Sequence, residues 1–340
     1  VQNSCELMII FTAMSLFEEN NIKTTPIETL GEFELINHIT KGIKIKNSKS
    51  IKGIGDDAAV IDMGDKYQLV STDLLVEGVH FFKNNKPESI ALKSIRTNLS
   101  DILSMGGKPF AYTMSLSINN KIDYSWIKQF TNSLYKEQKK YNFYLLGGDI
   151  VKSKTLSITI TIFGLVNKGK LILRSGSNNK DDIWVTGEIG NSYIGLQILK
   201  NKIIIKNKNI KDYFLKNYYY PNPPLIFSQK LFKFMNSAID ISDGFIGDLE
   251  KLTINNLKGA LIYTKNIPFS KYSKELIYNQ IIKIENILSG GDDYQLLFTS
   301  NKIYRKKIFN LSKKFKFKVS LIGEVNNSKK IDFIGVKLNK

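Results

Sequence analysis

Cysteine and histidine are nearly missing from this chain of 340 residues. It has one cysteine, Cys5, and two histidines, His38 and His80. A single cysteine excludes an intrachain disulfide and any metal site built on several cysteines. It also fits a reducing compartment, so we expect a cytoplasmic protein.

Long apolar runs are missing as well. The longest, residues 7–17, is too short to span a bilayer. No basic residues precede it, as they would in a signal peptide. We therefore predict no membrane association, and we expect residues 1–29 to be an N-terminal extension whose first 13 residues matter little to the structure.

Acidic residues are scarce, with 31 Asp and Glu against 49 Lys and Arg and a formal net charge of +18. Such an excess ordinarily suggests nucleic acid or an anionic surface as partner. The lysines, however, stand beside asparagine and isoleucine throughout, as in residues 41–47 and 200–209, which indicates a compositional bias. A basic nucleic-acid-binding protein stays open as an alternative, and salt-dependent binding to random DNA would support it.

Against this background, aspartate recurs in short segments that also contain glycine, serine or threonine. There are six such segments: Gly55-Asp56-Asp57-Ala58-Ala59, Ser71-Thr72-Asp73, Asn98-Leu99-Ser100-Asp101, Gly147-Gly148-Asp149, Asp240-Ile241-Ser242-Asp243-Gly244 and Gly290-Gly291-Asp292-Asp293. Each alone is explained by turn or cap chemistry. Together they indicate carboxylates gathered around a cation. Mg²⁺ is the natural candidate, because it is commonly shared between one or two carboxylates and substrate phosphates.

Apolar patterning predicts a mixed α/β fold, and the length predicts two domains. In the first domain, residues 30–166, we predict strands at 58–63, 67–72, 110–118, 144–146 and 156–166 and helices at 30–39, from 87 to the Gly-rich stop after 105, and at 124–140. In the second, residues 167–340, we predict strands at 183–186, 238–241, 260–264, 294–299 and 319–325 and helices at 193–200, after the proline-rich residues 220–224, and at 244–252.

Further residues have chemistry suited to phosphates. The turn at Ser242 and Asp243 precedes a helix, whose N–H groups and dipole favour an anion. Arg174, in Arg-Ser-Gly-Ser, suits a phosphate clamp. His80 follows closely on Asp73, and both a substrate contact and a satisfied polar group remain open for it. No P-loop and no kinase-type glycine loop occurs, which makes the usual nucleotide folds unsuitable.

Five motifs in order and spacing make the chain resemble the bacterial thiamine-monophosphate kinase family. They are Gly-Ile-Gly-Asp-Asp-Ala-Ala, Ser-Thr-Asp-x-Leu-Val-x-Gly-Val-His-Phe, Asn-Leu-Ser-Asp-Ile-x-x-Met-Gly, Asp-Ile-Ser-Asp-Gly and Ser-Gly-Gly-x-Asp-Tyr. The resemblance runs from about residue 30 to residue 325. The same superfamily contains aminoimidazole ribonucleotide synthetase, selenophosphate synthetase and the hydrogenase maturation factor HypE.

The resemblance implies ATP-dependent phosphorylation of thiamine monophosphate to thiamine diphosphate. The γ-phosphoryl group would pass directly to the substrate phosphate, assisted by Mg²⁺, without a covalent nucleophile. The family fold has an N-terminal α/β domain whose sheet pairs with that of a second copy in a homodimer, and a C-terminal α/β domain that covers the cleft. Because both reactants are anions, the reaction needs charge neutralisation and positioning, which matches the carboxylate motifs.

The resemblance also implies residue roles. Ligands of several Mg²⁺ ions would be Asp57, Ser71, Thr72, Asp73, Asp101, Asp149, Asp240 and Asp243. Contacts to ATP would come from Tyr135, Gly148, Asp149, Arg174 and Ser242, and contacts to the substrate from His80 and Asp292. Asp292 stands where the family usually has the longer Glu, so we expect its carboxylate to reach the substrate through water.

Another enzyme of this superfamily with a different acceptor is the main alternative. A selenophosphate synthetase-like activity is disfavoured, because Cys5 has no glycine-rich context. A non-catalytic relative is disfavoured because the carboxylates are intact.

Overall fold

A computed structural model describes residues 32–41, 43 and 47–335 of the chain. The predicted N-terminal extension, including Cys5, lies outside the described residues. The chain divides into two units, residues 1–48 and 49–340. In the described part of the first unit there is one helix, α1 (Glu32–Thr40), which confirms the helix predicted at 30–39. All other elements belong to the second unit.

The first sheet of that unit has six strands in the spatial order β1-β2-β3-β6-β4-β5. Its strands are β1 (Ser50–Lys52), β2 (Ala59–Asp62), β3 (Lys66–Val76), β4 (Lys108–Ile118), β5 (Tyr144–Lys152) and β6 (Ser157–Asn167). All neighbours pair antiparallel except β4 and β5, which are parallel. As the last strand in this order, β5 forms one edge of the sheet.

The second sheet also has six strands, in the order β12-β9-β11-β7-β10-β8. They are β7 (Asp182–Thr186), β8 (Ser237–Asp240), β9 (Gly259–Tyr263), β10 (Leu296–Ser300), β11 (Val319–Asn326) and β12 (Ile331–Ile334). Only the pair β9 and β12 is parallel. A mixed α/β fold with two sheets is thus confirmed, whereas the domain boundary near residue 166 stays a prediction.

Nine further α-helices occur among residues 47–335. They are α2 (Pro87–Ser104), α3 (Tyr124–Tyr141), α4 (Asn191–Leu199), α5 (Lys208–Tyr219), α6 (Leu225–Leu231), α7 (Phe245–Leu252), α8 (Lys271–Tyr278), α9 (Ile284–Leu288) and α10 (Arg305–Phe315). No helix in the described part of the chain is long and apolar enough to cross a membrane.

Helix α2 is packed across one face of the first sheet. Its residues Ile95, Leu99 and Ile102 are fully buried at the predicted spacing of i, i+4 and i+7. Ile102 lies so close to Gly164 of β6 that a Cβ there would approach the Ile102 side chain to 2.5 Å. Glycine at this position therefore allows α2 to sit directly on the sheet, and this contact fixes where the polar face of α2 points.

The second sheet is covered on both faces. Ile183 and Val185 of β7 pack into one apolar cluster, whereas Trp184 and Phe298 stack in another. All five residues of β7 are buried. Charged or polar groups at the ends of these strands are therefore the ones available to a ligand.

Two predicted strands end too early. Strand β3 continues to Val76, so Asp73 lies inside the strand and not after it. Strand β5 continues through Gly147-Gly148-Asp149, which the sequence pattern had favoured as a turn. A Cβ at Gly148 would lie 1.7 Å from the Met114 carbonyl oxygen of β4, so the glycine permits close strand pairing. Four helices, α5, α8, α9 and α10, were not predicted.

Candidate active site

A polar stripe runs along one face of α2. Lys93, Thr97, Ser100 and Ser104 follow one another at intervals of four, three and four residues, the spacing of one helix face, and all four are buried. The Ser104 hydroxyl donates to Asp57 and also, at 2.8 Å, to the Asp101 carbonyl oxygen. The sequence motifs contain Ser100 but did not indicate Lys93, Thr97 or Ser104, although the helical spacing of the four was a readable signal.

Asp101 belongs to the same face of α2. The Ser71 hydroxyl of β3 donates to Asp101 Oδ2 at 2.5 Å. Burial, followed by the charges of Asp240, Asp73 and Asp57, raises the pKa of Asp101 well above its ordinary value. The charges of three carboxylates from other segments of the chain therefore act on Asp101.

Asp240 ends β8, and its side chain is buried. Its Oδ2 atom has no hydrogen-bond partner within the described residues. Burial and the charges of Asp57 and Asp248 raise the pKa of Asp240 well above its ordinary value, and the Ser100 hydroxyl opposes part of the rise. Burial likewise raises the pKa of Asp73, and a hydrogen bond from Thr97 opposes part of this rise.

Arg174 and Asp57 pair with each other. The Arg174 Nε and Nη2 atoms donate to Asp57 Oδ1 at 2.9 and 2.5 Å. The backbone N–H of Arg174 donates to Asp56 Oδ1 at 3.3 Å. Burial, with repulsion from Asp57, raises the pKa of Asp56 to about 6. The residues implied as an ATP contact and a metal ligand are thus neighbours.

The turn between β8 and α7 differs from its prediction. Asp248 Oδ2 accepts hydrogen bonds from the backbone N–H groups of Ser242, Asp243 and Gly244 at 3.0, 3.1 and 3.1 Å. The anion that the sequence predicted for this turn is therefore supplied by the chain itself. The side chain of Asp243 is exposed and pairs with Lys251.

His80 and Asp292 lie at the other end of the polar stripe, near Lys93. The Val76 N–H donates to His80 Nδ1 at 3.0 Å, which leaves Nε2 as the free ring nitrogen. Asp292 Oδ2 accepts from Lys93 Nζ at 2.8 Å, and Oδ1 accepts from the Tyr294 hydroxyl at 2.9 Å. Burial, with the charges of Asp292 and Asp73, raises the pKa of Tyr294 well above its ordinary value, so this hydroxyl remains a donor.

Four of the implied site residues lie apart from this cluster. Alternation along β3 places Thr72 on the face of the sheet opposite Ser71 and Asp73, where its hydroxyl contacts that of Thr161 at 2.9 Å. Asp149 pairs in register with Ser115 on that same exposed face. Gly148 is on the β5 edge, and Tyr135 is exposed on α3. Within one chain these four do not join the carboxylates.

The donor set fits Mg²⁺. Among residues 47–335, no three His, Cys, Asp or Glu side chains form a ready-made metal cage. Mg²⁺ does not require one, because it is usually bound by one or two carboxylates together with substrate phosphates and water. The unpartnered oxygen of Asp240 and the mutual repulsion of the carboxylates are what a cation would relieve.

Comparisons with known proteins agree with this geometry. Residues 55–166 match the family described as AIR synthase related protein, N-terminal domain. The thiamine-monophosphate kinase of Buchnera aphidicola subsp. Acyrthosiphon pisum is 39% identical over 315 residues, which cover 89% of this chain and 96% of that protein. The enzyme of the same name from Escherichia coli strain K12 is 36% identical over 277 residues, covering 81% of this chain and 84% of that one.

Solved structures are also similar. AaThiL complexed with AMPPCP and TMP superposes with a TM-score of 0.80 at 28% identity, covering 93% of this chain and 97% of the other. Thiamine monophosphate kinase from Aquifex aeolicus gives a TM-score of 0.79 at 25% identity, covering 93% of this chain and all of the other. The likeness therefore extends over both sheets.

Proposed function

We propose that this chain, which belongs to the thiamine-monophosphate kinase family, catalyses the ATP-dependent phosphorylation of thiamine monophosphate to thiamine diphosphate. The related structure that binds AMPPCP, an ATP analogue, and TMP supports both substrates. The observation that carries the proposal is the convergence of Asp57, Asp73, Asp101 and Asp240 beside Arg174, with one carboxylate oxygen left unpartnered.

The carboxylates would hold Mg²⁺. We propose Asp57, Asp73, Asp101 and Asp240 as ligands, with Ser71 beside them. When bound, Mg²⁺ would neutralise phosphate charge as it develops. The Ser71 hydroxyl on β3 donates to Asp101 and the Ser104 hydroxyl on α2 donates to Asp57, and each bond restricts the rotamer of its carboxylate.

Arg174 and Ser242 are proposed to bind ATP. The guanidinium group suits phosphate oxygens because its planar donors match them in pairs. In the structure these donors bind Asp57. A phosphate would compete with Asp57 for these donors, and Asp57 is one of the residues that would hold Mg²⁺. Asp243, exposed beside the same turn, is proposed as an outer ligand.

His80 and Asp292 are proposed to bind the acceptor. The reaction transfers the γ-phosphoryl group of ATP to a phosphate oxygen of thiamine monophosphate and releases ADP. It needs in-line placement of two anions and no covalent nucleophile, because the acceptor oxygen is itself the nucleophile. The charges of Asp73 and Asp292 both act on Tyr294, which supports a short path between the two substrates.

A homodimer is part of the proposal. Every residue of the edge strand β5 is exposed, among them Leu145, Leu146, Ile150 and Val151. A long, apolar edge of this kind is a pairing surface unless it is covered. We propose that a second copy covers it. Thr72, Tyr135, Gly148 and Asp149 would then contribute to a site shared between copies.

We also propose a cytoplasmic location, because a sequence with a single cysteine fits a reducing compartment.

An ADP-release assay tests the function. Purified protein with ATP and Mg²⁺ is given thiamine monophosphate, thiamine or no acceptor. We expect ADP release with thiamine monophosphate alone, matched by an equal amount of thiamine diphosphate. Equal ADP release with all three would identify a plain ATPase, and no release with any would refute the proposal.

A further inference from the structure

Lys93 is buried to an unusual degree for its type. Among the lysines in the part of the chain that the structure describes, it alone is buried, with 4% of its surface exposed. Lysine is almost never buried without a partner, because its ammonium group loses hydration. Here the partners are all polar or aromatic groups of other segments, so the burial has a specific geometry.

The ammonium joins three segments that are distant in sequence. Lys93 Nζ donates to Asp292 Oδ2 at 2.8 Å, across 199 residues, and to the His80 carbonyl oxygen at 3.1 Å. It also lies 4.3 Å from the centre of the Tyr218 ring, and the Tyr218 hydroxyl donates to the same His80 carbonyl at 3.2 Å. Lys93 is therefore the shared partner of the His80 and Asp292 segments.

Asp292 needs such support. Its backbone has φ +70°, a left-handed conformation that costs a non-glycine residue energy. Its two carboxylate oxygens are held separately, one by Lys93 and one by Tyr294. Each oxygen still has a second lone pair directed away from these donors. The carboxylate is thus fixed in place and remains able to accept from a ligand.

We propose that Lys93 is a positioning residue for the phosphate acceptor, which it serves by holding the His80 loop and the Asp292 loop in one arrangement. The inference rests on the proposed function for the identity of the acceptor. Lys93 contacts neither Arg174 nor Ser242, whose roles are proposed for ATP. Loss of the ammonium group should therefore weaken binding of the acceptor and leave binding of the nucleotide unchanged.

A matched control lies on the same helix. Arg96 forms a buried ion pair with Glu137 at 2.8 Å and donates to the Pro221 carbonyl oxygen, and neither partner is a proposed substrate contact. Arg96→Met therefore breaks a comparable ion pair of α2 without touching the acceptor end. Any general loss of stability should appear in both variants.

The test is calorimetric titration of thiamine monophosphate, and separately of AMPPCP with Mg²⁺, into the wild type, Lys93→Met, Asp292→Asn, the double variant and Arg96→Met. We expect Lys93→Met to raise the Kd for thiamine monophosphate at least tenfold and to change that for AMPPCP less than twofold. Because both residues act through one contact, the double variant should bind within twofold of the weaker single variant. Arg96→Met should bind both ligands like the wild type.

Hydrogen–deuterium exchange separates the inference from the function. Peptides covering residues 76–82 and 289–294 should exchange faster in Lys93→Met than in Arg96→Met. Unchanged exchange, or thiamine monophosphate affinity unchanged in folded Lys93→Met, would overturn the positioning role. An equal loss of affinity for both ligands in Lys93→Met and in Arg96→Met would also overturn the positioning role. A wild type that binds no thiamine monophosphate would refute the proposed function, and the exchange result would still decide whether Lys93 holds the two loops.

Discussion

At the scale of single residues, Asp73 tests the metal assignment. It lies inside β3 with its carboxylate toward α2, where burial raises its pKa. Asp73→Asn keeps the shape of the side chain and removes the charge that a cation requires. We expect turnover to fall at least a hundredfold, about 3 kcal/mol of transition-state stabilisation. Steady-state kinetics with circular dichroism on the same sample measures this, and wild-type turnover by a folded variant would remove Asp73 from the site.

The hydroxyl stripe gives a second residue-scale prediction. Ser104→Ala removes the donor to Asp57, and Ser133→Ala removes a buried hydroxyl on α3 that only bonds to the Gln129 carbonyl. Each should cost about 1 kcal/mol of unfolding free energy. Only Ser104→Ala should lower kcat, by about tenfold, because only this variant removes a hydrogen bond that orients a proposed metal ligand, Asp57.

Chemical denaturation and kinetics on the two serine variants decide the matter. Equal kcat values for Ser104→Ala and Ser133→Ala would mean that the Ser104 hydroxyl contributes stability alone.

Single residues also show how far the sequence can predict a site. The motifs predicted that Asp57, Asp101 and Asp240 would meet, because glycine and hydroxyl residues around an aspartate can be recognised in the sequence. In the structure, the charges of Asp57 and Asp240 act on Asp101. Lys93 could not be singled out from the sequence, because the chain has many lysines and only the structure shows that this one is buried. Its partner Asp292 is 199 residues away, and only tertiary packing brings the two together.

At the scale of elements, the start of α4 gives a pH prediction. Asp293 accepts from the backbone N–H of Gly190 at 2.5 Å, just before the helix begins, yet burial raises its pKa to about 7. The folded protein therefore holds this proton more tightly than the unfolded chain, whose aspartate pKa is about 3.9. The stability that Asp293 contributes is full below about pH 4 and is lost as pH rises through about 7.

Asp293→Asn should remove this dependence. The difference in Tm between variant and wild type should shift in favour of the variant between pH 5 and pH 8. Asp62→Asn is the control: a hydrogen bond from Lys168 lowers the pKa of Asp62, so its contribution changes only at more acidic pH. Thermal melts at the two pH values measure both. A difference in Tm between Asp293→Asn and the wild type that does not change with pH would contradict the raised pKa of Asp293.

Elements also show where local patterns mislead. Gly147-Gly148-Asp149 has the composition of a turn, and nothing local reveals that Met114 of β4 needs the space a side chain would fill. Helix α10 was missed because it is rich in lysine, with a single buried residue, Ile308. By contrast, α2 was predicted because its apolar face is long and regular.

At the scale of the whole molecule, the exposed strand β5 predicts the oligomer. Leu146 and Ile150 are both 65% exposed in the single chain, so changing them should not affect its folding. We expect the wild type to have the mass of two chains in solution. Replacing both residues by Asp should shift it to the mass of one, because paired edges would then carry opposed like charges.

Light scattering after size exclusion measures the mass. Ile204→Asp, which alters an even more exposed apolar residue outside β5, should leave the dimer intact. A monomeric wild type would contradict the proposed second copy.

The most direct test of the central claim follows the transferred phosphoryl group. In a single turnover, [γ-³²P]ATP is mixed with excess protein, Mg²⁺ and thiamine monophosphate, then quenched in acid and separated into protein and small molecules. Direct transfer on the carboxylate cluster predicts that the label passes from ATP to the terminal phosphate of thiamine diphosphate, and that none is found on the protein at any time. Label that appears first on the protein, or no labelled thiamine diphosphate at all, would contradict the account.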